Sequence, residues 1–174
     1  MKKMICASVL ALALAACSRD AVAPAAAPAP EGPHVAAASP IEAGRYLVKL
    51  GGCNDCHTAG YLQTGGKVPE SEWLTGAIPF AGAWGTSYPA NLRLSVQHGT
   101  EDEWVATMRT RNGLPPMPWN TLHEMNENDL RAIYAFIKSL GPKGEAAPAA
   151  LPPGQTPSQP YFYFMPITGK PPKG

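Results

Sequence analysis

Residues 58–99, "TAGYLQTGGKVPESEWLTGAIPFAGAWGTSYPANLRLSVQHG", run for about forty positions without helical period or strand alternation, dense in glycine, proline and aromatic side chains. Connections inside packed domains are usually a few residues long, so a segment of this kind cannot close an ordinary core by itself. Something other than regular elements must fill the middle. Directly before it stands Cys53-Asn54-Asp55-Cys56-His57, which places two thiols and an imidazole within one helical turn and a half.

Three chemistries use such a group: a structural zinc, a redox dithiol, or a haem joined through two thioethers. Zinc needs four ligands, usually as two spaced pairs, and the chain has no second cysteine pair; His34, His98 and His123 are isolated. A thioredoxin-like dithiol needs a strand-to-helix junction in a βαβ setting, which the pattern lacks, and it leaves His57 without a duty. The haem reading uses every residue. Thiols at i and i+3 reach the two vinyl groups of one porphyrin, and the next residue carries its imidazole to the iron. The cofactor's apolar faces then supply the core that the long segment lacks.

The ends of the 174-residue chain read differently from its middle. Most of the 20 prolines lie in Pro- and Ala-rich blocks near the termini, where composition opposes a packed core. Lys2 and Lys3 precede an apolar run from Met4 to Ala16, too short to span a bilayer but suited to a secretory signal, residues 1–16. Leu14-Ala15-Ala16-Cys17 resembles the bacterial lipoprotein cleavage box, which implies a lipid anchor on Cys17. Ser18 after it implies the outer membrane by the same resemblance. Ordinary cleavage would instead leave a soluble periplasmic protein. Without the signal, 12 basic residues face 13 acidic ones, a balance that points away from nucleic acid. Cys6 leaves with the signal and Cys17 is the acylation site, so Cys53 and Cys56 are the thiols left in an oxidising compartment. Residues 17–40 read as an Ala/Pro-rich tether, able to extend at about 3.1 Å per residue.

Helical signals frame the middle. Ser39 and Pro40 open a first helix that Gly51-Gly52 stops, with Ile41, the stem of Arg45, Leu47 and Leu50 on one side. Thr100 and Glu103 form a capping box for a second, which runs towards Gly113 through Trp104, Val105 and Met108. Asn126 or Asn128 caps a third, in which Leu130, Ile133, Tyr134 and Ile137 repeat at i, i+3, i+4 and i+7 before Gly141-Pro142. No run predicts a strand.

A haem iron held by His57 has a sixth position. Met1 and Met4 leave with the signal, Met108 sits at core spacing in a helix, and Met165 is in the tail. Of Met117 and Met125, the first lies in "PPMPW", where prolines fix the backbone around it. Met117 is the expected ligand; His98 and His123 are its competitors.

Together these pieces carry a resemblance. Residues 41–141 resemble the class I c-type cytochrome domain, most closely the haem domains associated with bacterial periplasmic alcohol and aldehyde dehydrogenases. The matching pieces are Gly44 and Tyr46, "CNDCH", "WLTGAIPF", "YPANL", "PPMPW" and "NDLRAIYAFIKSL". The resemblance implies an all-α fold: a small helical domain wrapped around one covalent haem c, with flexible N- and C-terminal extensions, the second being the Pro-rich tail 142–174. It implies that Gly44 lets the first and last helices cross closely with Tyr134 at the crossing, and that Asn91 lies near the haem propionates. Leu92-Arg93 departs from the family pattern, and Arg93 could itself meet a propionate.

His57 and Met117 as axial ligands leave no open position for substrate, so the function implied is one-electron transfer, with no small-molecule substrate. Phe80, Tyr88 and Trp119 are expected to exclude water from the haem, and the carbonyl of Gly65 or Pro69 is a candidate acceptor for the second ring nitrogen of His57. The expected partners are a periplasmic redox donor and acceptor, with the membrane reached through the lipid on Cys17. Two other roles remain open: a five-coordinate haem enzyme or sensor of peroxide or a small gas, and a subunit dedicated to one dehydrogenase complex. The cluster Tyr161-Phe162-Tyr163-Phe164-Met165 either folds back on the domain or docks a partner.

Overall fold

A computed structural model describes residues 32–164. The signal, Cys17 and the tether as far as residue 31 lie outside the described residues, as do Met165 and the rest of the tail. Along the chain come α1 (Pro40–Leu50), α2 (Cys53–His57), a single 3-10 turn (Glu70–Glu72), β1 (Phe80–Gly82), β2 (Gly85–Ser87), α3 (Leu92–Ser95), α4 (Glu101–Thr110), α5 (Trp119–Glu124), α6 (Glu127–Ser139) and β3 (Phe162–Tyr163). The architecture is mostly helical with one small sheet, consistent with a small cytochrome c-like helical domain.

The three long helices start where their caps predict. Ser39 Oγ accepts from the Glu42 amide with Pro40 at the first position, Thr100 and Glu103 close the capping box, and Asn126 accepts from the Asn128 amide. The second helix stops at Thr110, three residues short of Gly113, because Arg111 is already extended. Helices α1 and α6 share the most extensive contact between any two elements. At their crossing, a Cβ on Gly44 would lie 2.7 Å from Phe136 Cβ and would overlap the Ala132 carbonyl. The close approach therefore depends on glycine, but the residues opposite it are Ala132 and Phe136. Tyr134 points elsewhere, with its ring 5.7 Å from that of Trp104.

The buried face of α1 is Ala43, Gly44, Leu47 and Val48. Only Leu47 of the expected face is buried; Ile41 and Leu50 are exposed, and Arg45 lies over the Phe136 ring at 5.3 Å while pairing with Glu70 at 2.9 Å. On α6, Leu130, Ile133, Tyr134 and Ile137 are all buried, as their spacing requires.

The sheet is the element the sequence does not announce. Strands β1 and β2 form a hairpin, and β3 adds to β1 in parallel, giving the order β2-β1-β3. Two or three residues per strand are too few to display a period of two. The tail thus folds back along residues 142–164 instead of leaving the surface. Phe162 stacks on Phe80 at 5.2 Å, Phe164 meets the same ring at its edge, and Leu151 and Thr86 exchange backbone hydrogen bonds of 2.9 and 3.0 Å. The tether's last residues also attach: the Val35 amide donates to Asp129 Oδ1 at 2.8 Å.

Candidate cofactor site

Helix α2 is one turn long, and Gly52 opens it at φ 65°, a left-handed conformation that costs glycine little. The turn directs Cys53 and Cys56 to one side as free, half-buried thiols. Burial pushes the Cys53 thiol up to about 11, and burial with the nearby Asp55 carboxylate also raises Cys56. Both directions oppose a reactive dithiol, whose attacking sulfur is held low. Among the described residues, no three His, Cys, Asp or Glu side chains converge on a point that could hold a metal ion by themselves.

His57 is buried, and its Nδ1 lies 2.7 Å from the Ala90 carbonyl. With the proton on Nδ1, the ring donates to that oxygen and keeps its lone pair on Nε2. Burial lowers the His57 pKa, opposed by the Ala90 carbonyl, and favours the neutral ring, the form of imidazole that can bind a metal. The acceptor is therefore in "YPANL", and neither the Gly65 nor the Pro69 carbonyl serves. The segment 73–76 seals the other side: the Gly76 amide donates to the His57 carbonyl at 2.9 Å, and the Leu74 amide to Thr58 Oγ1 at 2.8 Å. Leu74 has φ 63°, a strained value for a branched side chain, and is held there fully buried.

Met117 is half-buried in the loop between α4 and α5. Met125 instead packs on the hydrophobic core. Next to Met117, Trp119 is half-buried beneath the Arg111 guanidinium at 5.2 Å, and its indole Nε1 is buried without a hydrogen-bond partner. His123 Nε2 lies 2.9 Å from the Arg111 carbonyl, while His98 is exposed beside a cleft formed with Asn91 and Leu94.

The other expected cofactor neighbours have protein partners of their own. Asn91 is buried; its Oδ1 accepts from the Leu94 amide at 3.1 Å, and its Nδ2 donates to the Lys143 and Glu145 carbonyls at 2.7 and 3.1 Å. Arg93 is buried too, donating to Gly141 at 2.6 Å, to Ser71 at 2.8 Å and to the Leu140 carbonyl. Those two residues bind the end of α6 and the tail to the 71–93 region. Phe80 sits in the aromatic cluster with the tail, and Tyr88 lines a cleft of about 400 Å³ with Ile78 and Pro89.

The donor set fits a covalent haem. Two free thiols at i and i+3, a neutral imidazole with a committed Nδ1, a thioether on a proline-bounded loop and an indole N–H lacking an acceptor all match a porphyrin with iron and carboxylate side groups. Sequence reasoning missed Ala90, because a backbone carbonyl has no residue signature, and for the same reason it missed the bond from the Ser87 hydroxyl to the Pro115 carbonyl.

Neither a protein-family profile nor a solved structure matches the chain. Among curated proteins, it is 28% identical over 107 residues to the cytochrome c subunit of a quinone alcohol dehydrogenase from Gluconobacter oxydans, covering 56% of this chain and 20% of that one. It is 26% identical over 117 residues to the cytochrome c subunit of a gluconate 2-dehydrogenase from Pantoea cypripedii, covering 61% and 24%. It is also 24% identical over 107 residues to the cytochrome subunit of a fructose dehydrogenase from Gluconobacter japonicus, covering 56% of this chain and 20% of the relative. The chain thus spans a quarter or less of the length of these relatives, and its likeness is to cytochrome c subunits of bacterial dehydrogenases.

Proposed function

We propose that the chain is a membrane-tethered monohaem c-type cytochrome that accepts electrons from a periplasmic dehydrogenase or quinol-oxidising complex and passes them towards a terminal acceptor. The observation that carries this reading is His57, buried directly after the cysteine pair with Nδ1 committed to Ala90. Relatives named as cytochrome subunits of dehydrogenases support the same direction.

In this reading Cys53 and Cys56 hold the haem through thioethers, and His57 and Met117 supply the axial ligands. When bound, the haem provides one-electron chemistry at an iron whose thioether ligand favours the ferrous state. The protein's part is to fix the His57 ring through Ala90, to place Met117 on a stiff loop, and to keep water away with Trp119 and Tyr88. Cys17 carries the lipid anchor; among the described residues no helix is long and apolar enough to cross a membrane.

The test is the visible spectrum and midpoint potential of the purified holoprotein. Met117→Ala is expected to abolish the weak sulfur-to-iron band of the oxidised form. It should also lower the potential by roughly 0.1 V, within the ~0.8 V range that axial ligation spans. An unchanged band and potential would remove Met117 as ligand and give the sixth position to another sulfur, whereas a wild-type protein without the band would favour the enzyme or sensor role. For the anchor, Cys17→Ser is expected to move the protein from the membrane fraction to the soluble periplasmic fraction; retention with the membranes rejects acylation at that residue.

A further inference from the structure

The loop from Asn112 to Pro118 has little to hold it. Three of its residues are prolines and donate no backbone hydrogen bond. Its ends are anchored by Arg111, through His123 and the Trp119 ring, and by the Trp119 amide, which donates to the Met117 carbonyl at 2.9 Å. Gly113 lies close under Trp119, where a Cβ would come 2.8 Å from Nε1. Between those ends, one hydrogen bond ties residues 112–116 to another part of the described chain. Ser87 Oγ donates to the Pro115 carbonyl at 2.5 Å.

Ser87 is well placed to serve as a fixed point. It is the last residue of β2, opposite Phe80, and its hydroxyl also approaches the Phe80 carbonyl at 3.4 Å. The hairpin that carries it is gripped on both sides. The Phe162 and Phe164 amides donate to Pro79 and Ala81, and Thr86 exchanges bonds with Leu151. Three residues after Ser87 comes Ala90, whose carbonyl accepts from His57. One short hairpin therefore reaches both candidate iron ligands, His57 through the backbone that follows it and Met117 through a single hydroxyl.

We propose that Ser87 is a positioning residue for Met117, its hydroxyl holding the ligand loop at a fixed distance from the segment that orients His57. The proposal rests on the reading of Met117 as the sixth ligand. Without the hydroxyl, the loop keeps its two ends but loses its midpoint, so Met117 samples more positions and binds iron less firmly. An external ligand then competes more easily for the same coordination site.

The experiment is an imidazole titration of the oxidised holoprotein, followed at the main haem absorption band in every variant and also at the sulfur-to-iron band where Met117 is present, with urea unfolding as a check on the fold. Ser87→Ala is expected to bind imidazole about five-fold more tightly than wild type, the factor that loss of one neutral hydrogen bond supplies. Ser87→Thr, which keeps a hydroxyl at the same backbone position, should return to within about two-fold, inside the spread of such contributions. In a Met117→Ala background, where there is no thioether to displace, Ser87→Ala should add nothing. If Ser87→Ala matches wild type while Met117→Ala binds imidazole far more tightly, the positioning role is overturned and the ligand reading stands. Failure of Ser87→Thr to rescue also overturns it. If Met117→Ala leaves both the band and the imidazole affinity unchanged, the ligand reading falls and the proposal falls with it.

Discussion

Gly44→Val is expected to destabilise the domain by about 3 kcal/mol or more, at or beyond the upper end of ordinary overpacking. The first added carbon would already overlap the Ala132 carbonyl and come 2.7 Å from Phe136 Cβ, and both belong to the body of α6. Neither can yield without separating the helices. The γ carbons add to the conflict, since Gly44 lies on the buried face of α1 with Ala43, Leu47 and Val48 and has no open space beside it. Urea unfolding of the holoprotein provides the measurement, with Gly44→Ala as the smaller step in the same direction. A midpoint within experimental error of wild type for Gly44→Val would mean that α1 and α6 are not held this closely in solution.

Arg93→Met is expected to cost about 2 kcal/mol, because it takes the guanidinium donor from the partly buried Leu140 and Gly141 carbonyls and each such loss is worth about 1 kcal/mol or more, while Ser71 keeps the Lys143 ammonium. Arg93 N–H groups reach Leu140 and Gly141, where α6 ends and its last carbonyls have no intrahelical partner, and also Ser71 in the long loop. Arg93→Lys should recover less than half of the loss, since an ammonium on a flexible stem cannot span three carbonyls as a planar fork does. Thermal or urea unfolding of the three proteins checks both statements. If Arg93→Met unfolds with wild-type stability but its haem spectrum or potential changes, the guanidinium serves the cofactor and not the end of α6.

The sequence is most informative where a local rule suffices. Ser39, Thr100 and Asn126 each sit at the start of the helix they are expected to cap, because a cap and its amide are two or three residues apart. The helical turn from Cys53 to His57 is legible for the same reason. Long-range contacts are not. The expected acceptors for His57 are at residues 65 and 69, yet the observed one is the carbonyl at residue 90, a group that every residue possesses and no sequence pattern marks. The resemblance implies a cofactor contact for Asn91 and the charge of Arg93 allows one; the carbonyls that both collect come from the tail and the end of α6, which no local pattern marks. Tyr134 and Phe136 both lie on α6, and deciding which one meets Gly44 requires the crossing angle, which periodicity leaves undetermined. The strands are invisible because the sheet is assembled from three fragments, each shorter than a full period pair, one of them some eighty residues from the others.

That third fragment gives the fold a schedule. In sequence order the cysteine pair, His57, the hairpin and the methionine loop all precede the strand that covers the second edge of β1. The Pro79 and Ala81 carbonyls wait for amides made much later, those of Phe162 and Phe164. That strand lays Phe162 on Phe80 and turns a two-stranded ribbon into a wall. Assembly of this domain is therefore closed from its far end, like a box whose final panel is the tail.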